Sequence, residues 1–232
     1  TLLIPVGGGG LLSGCSIVAK NMKKNIKIIA VQSENFPSFY NAHYKKNLSF
    51  KTGSVAEGIA VKKVGKINLK ILNKYVDKCV LVKERKIEEA ISYFLMKDKT
   101  LVEGAGAVGL AAILEGKIPN SSKNIGLVAC GGNLDSRVLS SLLMRELVRK
   151  KKILTLSIDM DDKPGQLNQI SILCSQEKIN ILEVEHSRFT LDLSVRSARL
   201  NITLETRDEE HAKIIISKIK KLGFKVEEKK KN

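Results

Sequence analysis

Hydrophobic positions in residues 1–150 form two patterns, short continuous runs and helical repeats. Apolar runs that predict buried strands lie at residues 1–6, 27–31, 78–82 and 124–129. Helical spacing of apolar positions predicts helices over residues 11–24, 68–75, 84–97, 104–115 and 134–149. Residues 32–65 show neither pattern and are predicted to be irregular. Because strand, loop, helix and strand follow each other at the start, a parallel sheet is expected.

The pattern changes after the charged cluster at residues 150–152. The remaining chain predicts strand, helix, strand, strand, helix and strand over residues 153–160, 165–177, 181–190, 197–205, 208–222 and 224–227. This βαββαβ order is the ferredoxin-like arrangement. We therefore predict an α/β domain over residues 1–150 and a ferredoxin-like domain over residues 151–232.

Composition narrows the class of protein. Hydrophobic residues make up 43% of the 232 residues, which is enough for a packed core. The net charge is +16, but the lysines are scattered through helical segments, which favours solvated lysines over a nucleic-acid surface. The four cysteines form no CxxC pair, so neither a zinc site nor a disulfide framework is expected, and a reducing cytoplasm fits best. No apolar run reaches the length needed to span a membrane, and no membrane partner is expected.

Four consecutive glycines, Gly7 to Gly10, lie between a predicted strand and a predicted helix. Glycine permits a tight backbone turn, and the following helix brings the partial positive charge of its N-terminus, so this junction can hold a phosphate. It is not a Walker loop, because no Lys-Ser/Thr pair follows at the required spacing. Leu12 occupies the last glycine position of a dinucleotide fingerprint. The alternative is a tight turn without a ligand.

Cys130, followed by two glycines and Asn133, forms a second strand-to-helix junction. Ligands bind at the carboxyl ends of parallel strands, so the two junctions are expected to meet in one crevice. From its chemistry alone, Cys130 is equally well interpreted as a ligand-facing thiol or as a small buried side chain. Glu103, at the start of a Gly/Ala-rich helix, is either a helix-dipole partner or a site residue.

Four segments now show a resemblance to a known family. IPVGGGGLLSG, VAEGIAV, TLVEGAGAVGLAA and ACGGNLDSRV occur in an order similar to that of the threonine ammonia-lyases, which are fold-type II pyridoxal phosphate (PLP) enzymes. The resemblance implies a three-layer parallel sheet of tryptophan synthase β type, here incomplete. It also implies pyridoxal 5'-phosphate as the cofactor and L-threonine as the substrate, with 2-oxobutanoate and ammonia as products and L-serine as a secondary substrate.

The same resemblance assigns cofactor-binding residues. Gly7, Gly8, Gly9 and Gly10, with the N–H of Leu11, resemble the loop that holds the cofactor phosphate. Cys130 matches the Ser or Cys that faces the pyridine nitrogen, Glu103 matches an acidic residue near the ring, and Gly58 belongs to a neighbouring loop. Two other functions stay open: a serine racemase-like or other fold-type II lyase, and a non-catalytic module for amino-acid sensing or oligomerisation.

The resemblance also shows two departures. In the family, the lysine that forms the Schiff base lies in a Ser-x-Lys motif upstream of the glycine loop, so we expect no catalytic residue among these 232 residues and no activity from this segment alone. Related members bind a divalent cation through an acidic residue after the second strand. Gln32 is found there, with Glu34 nearby, so no metal is expected.

Residues 151–232 resemble an ACT domain, chiefly through DMDDKPGQL at residues 159–167. The resemblance implies an amino-acid effector such as isoleucine or valine, and a homo-oligomer, either a dimer or a tetramer. It leaves a biosynthetic and a catabolic role equally open. The implied regulatory residues are Asp162, Pro164, Gly165, Gln166, Leu167, Asn180 and Ile181. The alternative is a dimerisation module that binds no ligand.

Overall fold

A computed structural model describes residues 1–118, 124–188 and 193–229. The chain divides into two compact units, Thr1–Leu142 and Leu143–Asn232. This division falls inside helix α6, whereas the sequence predicts the change of domain just after that helix. The elements up to this helix are β1 Leu2–Pro5, α1 Gly10–Met22, β2 Ile28–Ser33, α2 Ser38–Tyr44, α3 Lys66–Tyr75, β3 Lys78–Val82, α4 Glu84–Tyr93, α5 Gly104–Leu114, β4 Gly126–Leu127 and α6 Ser136–Arg149.

The first unit is built around a parallel sheet with the strand order β3-β2-β1-β4. Side chains of β1 and β2 alternate between its faces, so that Ile4 and Ala30 pack with α1, α2 and α3. Leu3 and Val31, on the opposite face, pack with α4 and α5. Because both faces are covered by helices, the strands are almost wholly apolar. The predicted three-layer α/β architecture is confirmed.

Two predicted stretches differ from the structure. Residues 32–65, predicted to be irregular, contain α2, whose backbone N–H groups at Phe39 and Tyr40 donate to the Gln32 side-chain oxygen at 3.1 and 3.2 Å. A side chain from the preceding strand therefore satisfies the start of this helix, which a local pattern does not reveal. The strand predicted over residues 124–129 pairs with β1 only at Gly126 and Leu127.

The second unit contains β5 Ile153–Asp161, α7 Gln166–Gln176, β6 Asn180–Ser187, β7 Ser197–Glu205, α8 Glu209–Lys221 and β8 Lys225–Glu228. These strands form an antiparallel sheet with the order β6-β7-β5-β8. Leu156, Ile158 and Ile202 face α7 and α8 and are fully buried, so the predicted ferredoxin-like βαββαβ unit is confirmed. Residues 189–190, at the end of the strand predicted over 181–190, lie outside the described residues. No helix in the described ranges has the length and apolar character needed to cross a bilayer.

Candidate functional site

The glycine loop after β1 requires glycine at two of its positions. Gly9, which precedes α1, has a φ of 93°, a conformation that L side chains rarely adopt. A Cβ added to Gly9 would lie 2.9 Å from the Cβ of Asn68. At Gly7, an added Cβ would lie 2.9 Å from the Cα of Ile59. Close packing and backbone conformation therefore both select glycine here.

The loop presents backbone donors and is supported from behind. The first N–H groups of α1 have no partner within the helix, and the N-terminus has no side-chain cap. The carbonyl of Gly8 accepts hydrogen bonds from the N–H of Gly65 at 3.1 Å and from Nδ2 of Asn68 at 2.9 Å. The start of α1 is therefore an anion-binding arrangement on a fixed backbone.

The second junction, after β4, lies against the start of α5. A Cβ added to Gly106 would lie 2.1 Å from the carbonyl oxygen of Cys130, so α5 contacts the Cys130 backbone directly. The N–H of Glu103 donates to the carbonyl of Gly131 at 3.0 Å. Gly131 has a φ of 78°, and a Cβ there would lie 2.3 Å from Oε1 of Glu103. Glycine at 106 and 131 thus lets Glu103 and Cys130 lie side by side.

One cavity of about 230 Å³ collects the two junctions. All eight predicted cofactor-binding residues line it: Gly7, Gly8, Gly9, Gly10, Leu11, Gly58, Glu103 and Cys130. A neighbouring cavity of about 420 Å³ shares Gly58 and Glu103 with it and is also lined by Glu57 and Asp135. The expected crevice therefore exists, and the sequence-distant motifs meet in it.

The surroundings of the partly buried Cys130 thiol favour its neutral form. Burial raises its pKa, and the nearby carboxylate of Glu103 and the thiol of Cys15 raise it further, while a hydrogen bond from the backbone N–H lowers it. A raised pKa means that the thiolate forms only at higher pH than in a free cysteine. A neutral sulfhydryl opposite an anion-binding loop fits a ligand that carries a phosphate at one end and an aromatic nitrogen at the other.

This pKa shift predicts the chemical reactivity of Cys130. We expect iodoacetamide to modify Cys130 slowly at neutral pH. The modification rate should rise only at higher pH than it does for free cysteine. The Glu103→Gln variant removes one cause of the shift, so its rate profile should move to lower pH. Peptide mass spectrometry over a pH series measures both profiles. A Glu89→Gln control on α4 should leave the profile of Cys130 unchanged, and an unmoved profile in Glu103→Gln would contradict the prediction.

Two residues that support the cavity were not predicted. Asn68 holds the glycine loop through Gly8, as described above. Glu84, at the start of α4, accepts hydrogen bonds from the hydroxyl of Ser33 at 2.5 Å, the hydroxyl of Ser54 at 2.7 Å and the N–H of Val55 at 2.8 Å. It therefore fixes the segment that leads to Gly58. Glu84 begins a helix directly after a strand, but the sequence carries no signal for its distant partners.

Gln32, near the end of β2, and Glu34, just after this strand, do not fit a divalent cation. Gln32 is fully buried, and its Oε1 already accepts two backbone hydrogen bonds, while its Nε2 is a donor and cannot ligate a cation. Glu34 forms an ion pair with Lys51 at 3.0 Å. The amide of Gln32 is therefore committed to protein partners.

The predicted regulatory residues are only partly brought together. Gly165 precedes α7 with a φ of 90°, and Leu167 is partly exposed. Asp162 accepts from Arg188 at 3.1 Å, and Asn180 donates to Glu205 at 2.9 Å. Of the seven predicted residues, Gln166 alone lines a cavity of about 330 Å³ beside Asp159, Asp161 and Lys225 in this unit. Neither Pro164 nor Ile181 belongs to that lining.

Comparison with known proteins agrees with these features. The family model described as "Pyridoxal-phosphate dependent enzyme" matches residues 1–131, and the ACT domain model matches residues 154–224. A protein named L-threonine ammonia-lyase from Thermotoga maritima is 35% identical over 227 residues, which is 97% of this chain and 56% of that protein. The chain thus spans little more than half the length of this curated relative.

Solved structures resemble a smaller share of this chain. Threonine deaminase isoform 2 from Solanum lycopersicum has a TM-score of 0.55 and 30% identity, covering 62% of this chain and 43% of that one. Serine racemase from Dictyostelium discoideum has a TM-score of 0.53 and 32% identity, covering 58% of this chain and 44% of that one. With the family match over more than half of its length, and with a glycine loop and a neutral thiol meeting in one cavity, the chain belongs to the family of pyridoxal-phosphate dependent enzymes.

Proposed function

We propose that the full-length protein is an L-threonine ammonia-lyase that converts L-threonine to 2-oxobutanoate and ammonia, with L-serine as a secondary substrate. The observation that carries this proposal is the cavity in which the glycine loop meets Cys130 and Glu103. The similarity to an L-threonine ammonia-lyase over 97% of the chain, across both compact units, supports the choice of reaction. A reducing cytoplasm is the proposed location.

Each of the eight predicted cofactor-binding residues has a proposed task. The N–H groups at Gly8 to Leu11 bind the phosphate, helped by the N-terminal charge of α1. Gly7 allows close approach of the Ile59 backbone, and Gly58 allows close approach of the Ala105 and Glu103 side chains. Glu103 borders the ring. Support for the first assignment comes from the uncapped helix start and the positive φ of Gly9. The Schiff-base lysine is assigned to sequence upstream of the glycine loop, so the segment described here is proposed to be inactive alone.

Cys130 has the chemically most specific task. Pyridoxal phosphate, when bound, supplies an electron sink for reactions at the amino acid Cα. The Cys130 sulfhydryl, whose pKa is raised by burial and by Glu103, offers the pyridine nitrogen a partner without a charge. Unlike a carboxylate, it does not favour protonation of the ring nitrogen. This moderates the electron sink and suits loss of a β-hydroxyl group.

The direct test is an assay of the full-length protein with its cofactor. We expect 2-oxobutanoate and ammonia from L-threonine, and slower release of pyruvate from L-serine. Cys130→Ser keeps a neutral hydroxyl and should retain activity. Cys130→Ala removes one hydrogen bond, worth about 1 kcal/mol, and should lower activity about fivefold. Absence of 2-oxobutanoate from the cofactor-loaded protein would refute the proposed reaction.

A serine racemase is the second candidate, because a serine racemase structure shares the fold at 32% identity. That likeness covers 58% of this chain, whereas the L-threonine ammonia-lyase similarity covers 97%. Chiral chromatography of the L-serine reaction separates the two proposals. D-serine as the main product would favour the racemase, and pyruvate would favour the lyase.

The second unit is proposed to bind an amino-acid effector, such as isoleucine or valine, and to take part in a dimer or tetramer. The ACT domain match over residues 154–224 supports this proposal. The loop from Asp162 to Leu167, with Asn180 and Ile181, is the proposed ligand-binding region. Repeating the L-threonine assay with added isoleucine or valine tests it. Unchanged rates with both amino acids would leave a purely structural role for this unit.

A further inference from the structure

Gln32 forms a four-bond junction directly behind the glycine loop. Its Nε2 donates to the carbonyl of Val6 at 3.1 Å and to the hydroxyl oxygen of Ser38 at 3.1 Å. Its Oε1 accepts from the N–H groups of Phe39 and Tyr40 at 3.1 and 3.2 Å. The side chain is fully buried, so water does not compete for these bonds. One amide thus ties the end of β1 to the start of α2.

The bond to Val6 is the one that concerns the cavity, because Gly7 follows Val6 and lines the cavity. The N–H of Val6 also donates to Val31 at 3.0 Å. The backbone N–H and the carbonyl of Val6 are therefore both held by β2, through the Val31 carbonyl and the Gln32 side chain. A shift of the Val6 carbonyl would therefore also move Gly7, the first glycine of the loop.

The amide is the one neutral group of this shape that satisfies both sides of the junction. The Oε1 side needs an acceptor for two N–H groups, and the Nε2 side needs a donor for the Val6 carbonyl. The substitution Gln32→Glu would keep the first side but place a carboxylate oxygen against the Val6 carbonyl. Three oxygens, one from the new carboxylate and one each from Val6 and Ser38, would then surround the present place of Nε2. Such a set of oxygens is what divalent cations such as Ca²⁺ bind.

We propose that Gln32 is a positioning residue of the cofactor loop, and that its amide holds the Val6–Gly7 backbone in place without a cation. The inference rests on the proposed role of the glycine loop in binding the cofactor phosphate. It adds that cofactor binding in this protein is independent of divalent cations and that one substitution makes it dependent.

The experiment measures cofactor affinity in the full-length protein, from the change in cofactor absorbance on binding, with EDTA or with added Mg²⁺ or Ca²⁺. Wild-type affinity should be the same in all three conditions. Gln32→Glu in EDTA should bind about tenfold to a hundredfold more weakly, as expected for a buried acceptor facing another acceptor. Added cation should recover most of this loss.

Two variants separate positioning from general stability. Gln32→Met keeps the size but removes both sets of hydrogen bonds, so it should bind the cofactor weakly in every condition, with no recovery on adding cation. It also serves if Gln32→Glu does not fold. Gln176→Glu adds the same charge at the exposed end of α7 and should behave as wild type.

The outcomes distinguish this inference from the proposed function. A fall in wild-type affinity on adding EDTA, wild-type affinity of Gln32→Glu or Gln32→Met in EDTA, or failure of both cations to rescue Gln32→Glu would each overturn the inference. None of these results would touch the role of the glycine loop. If the wild-type protein bound no cofactor at all, the proposed function itself would fail.

Discussion

Replacing Gly9 by alanine is expected to abolish tight cofactor binding in the full-length protein. The residue has a φ of 93°, and holding an L side chain in this region costs about 1–2 kcal/mol. The new methyl group would also lie 2.9 Å from the Cβ of Asn68 and 3.1 Å from Leu72. Overpacking of this kind costs a further 1–3 kcal/mol, roughly. The loop can relieve the strain only by moving its N–H groups, and binding of the phosphate depends on them.

The effect is measured by thermal unfolding of the cofactor-free protein and by cofactor titration. We expect a lower melting temperature and a loss of affinity of at least about tenfold, since a hydrogen bond to a charged group is worth about 1.5–3 kcal/mol. Gly14→Ala, within α1, is the matched control, because an added Cβ there meets nothing within 4 Å beyond the helix's own backbone. Alanine should stabilise α1 slightly at that position. Wild-type affinity in Gly9→Ala would show that the loop does not hold the phosphate.

The cavity could be predicted from the sequence because its determinants are local. Gly7 to Gly10 predict a tight strand-to-helix turn, and Cys130 with its two following glycines repeats the order of strand, glycine-containing turn and helix. The rule that parallel strands end at one edge then joins the two junctions. In the structure β1 and β4 are paired neighbours, so this one pairing brings together two motifs that are far apart in the sequence.

The supporting side chains could not be predicted because their partners are distant in sequence. Asn68 reaches Gly8 across 60 positions, and Glu84 reaches Ser54 across 30. The sequence indicates Gln32 only as the place of a possible cation ligand, although its amide caps α2 and holds Val6. A buried polar residue at a strand end does indicate a hydrogen-bond network, but periodicity cannot say which backbone groups complete it.

In the second unit, too, the sequence predicts a loop but not the partners of the side chains around it. The sequence predicts the loop that contains Gly165, and the positive φ of this residue explains why it is a glycine. The other predicted regulatory residues are nevertheless engaged elsewhere: the side chain of Asp162 accepts a hydrogen bond from Arg188, and that of Asn180 donates one to Glu205. Sequence order identifies a loop, but the side chains that face a common space are set by how the strands are paired.

Replacing Gly106 by alanine should separate α5 from Cys130. Two effects oppose each other. The first is helix propensity, since alanine in the interior of an exposed helix is about 1 kcal/mol more stable than glycine. Here the added Cβ would lie 2.1 Å from the carbonyl oxygen of Cys130 and 2.7 Å from Val102, distances that no packed methyl group can keep. Backbone cannot move aside as a flexible side chain does. The steric cost therefore wins, and we expect a net loss of stability of about 1–3 kcal/mol.

Gly109 provides the comparison within the same helix. Its added Cβ would lie 3.2 Å from the Cβ of Leu127, a contact that a shift of a few tenths of an ångström relieves. Gly109→Ala should therefore change the melting temperature little, while Gly106→Ala lowers it by several degrees. Cofactor titration completes the test, since only Gly106→Ala moves the thiol of Cys130 relative to the glycine loop. Equal stability and equal cofactor affinity in the two variants would mean that α5 does not position Cys130.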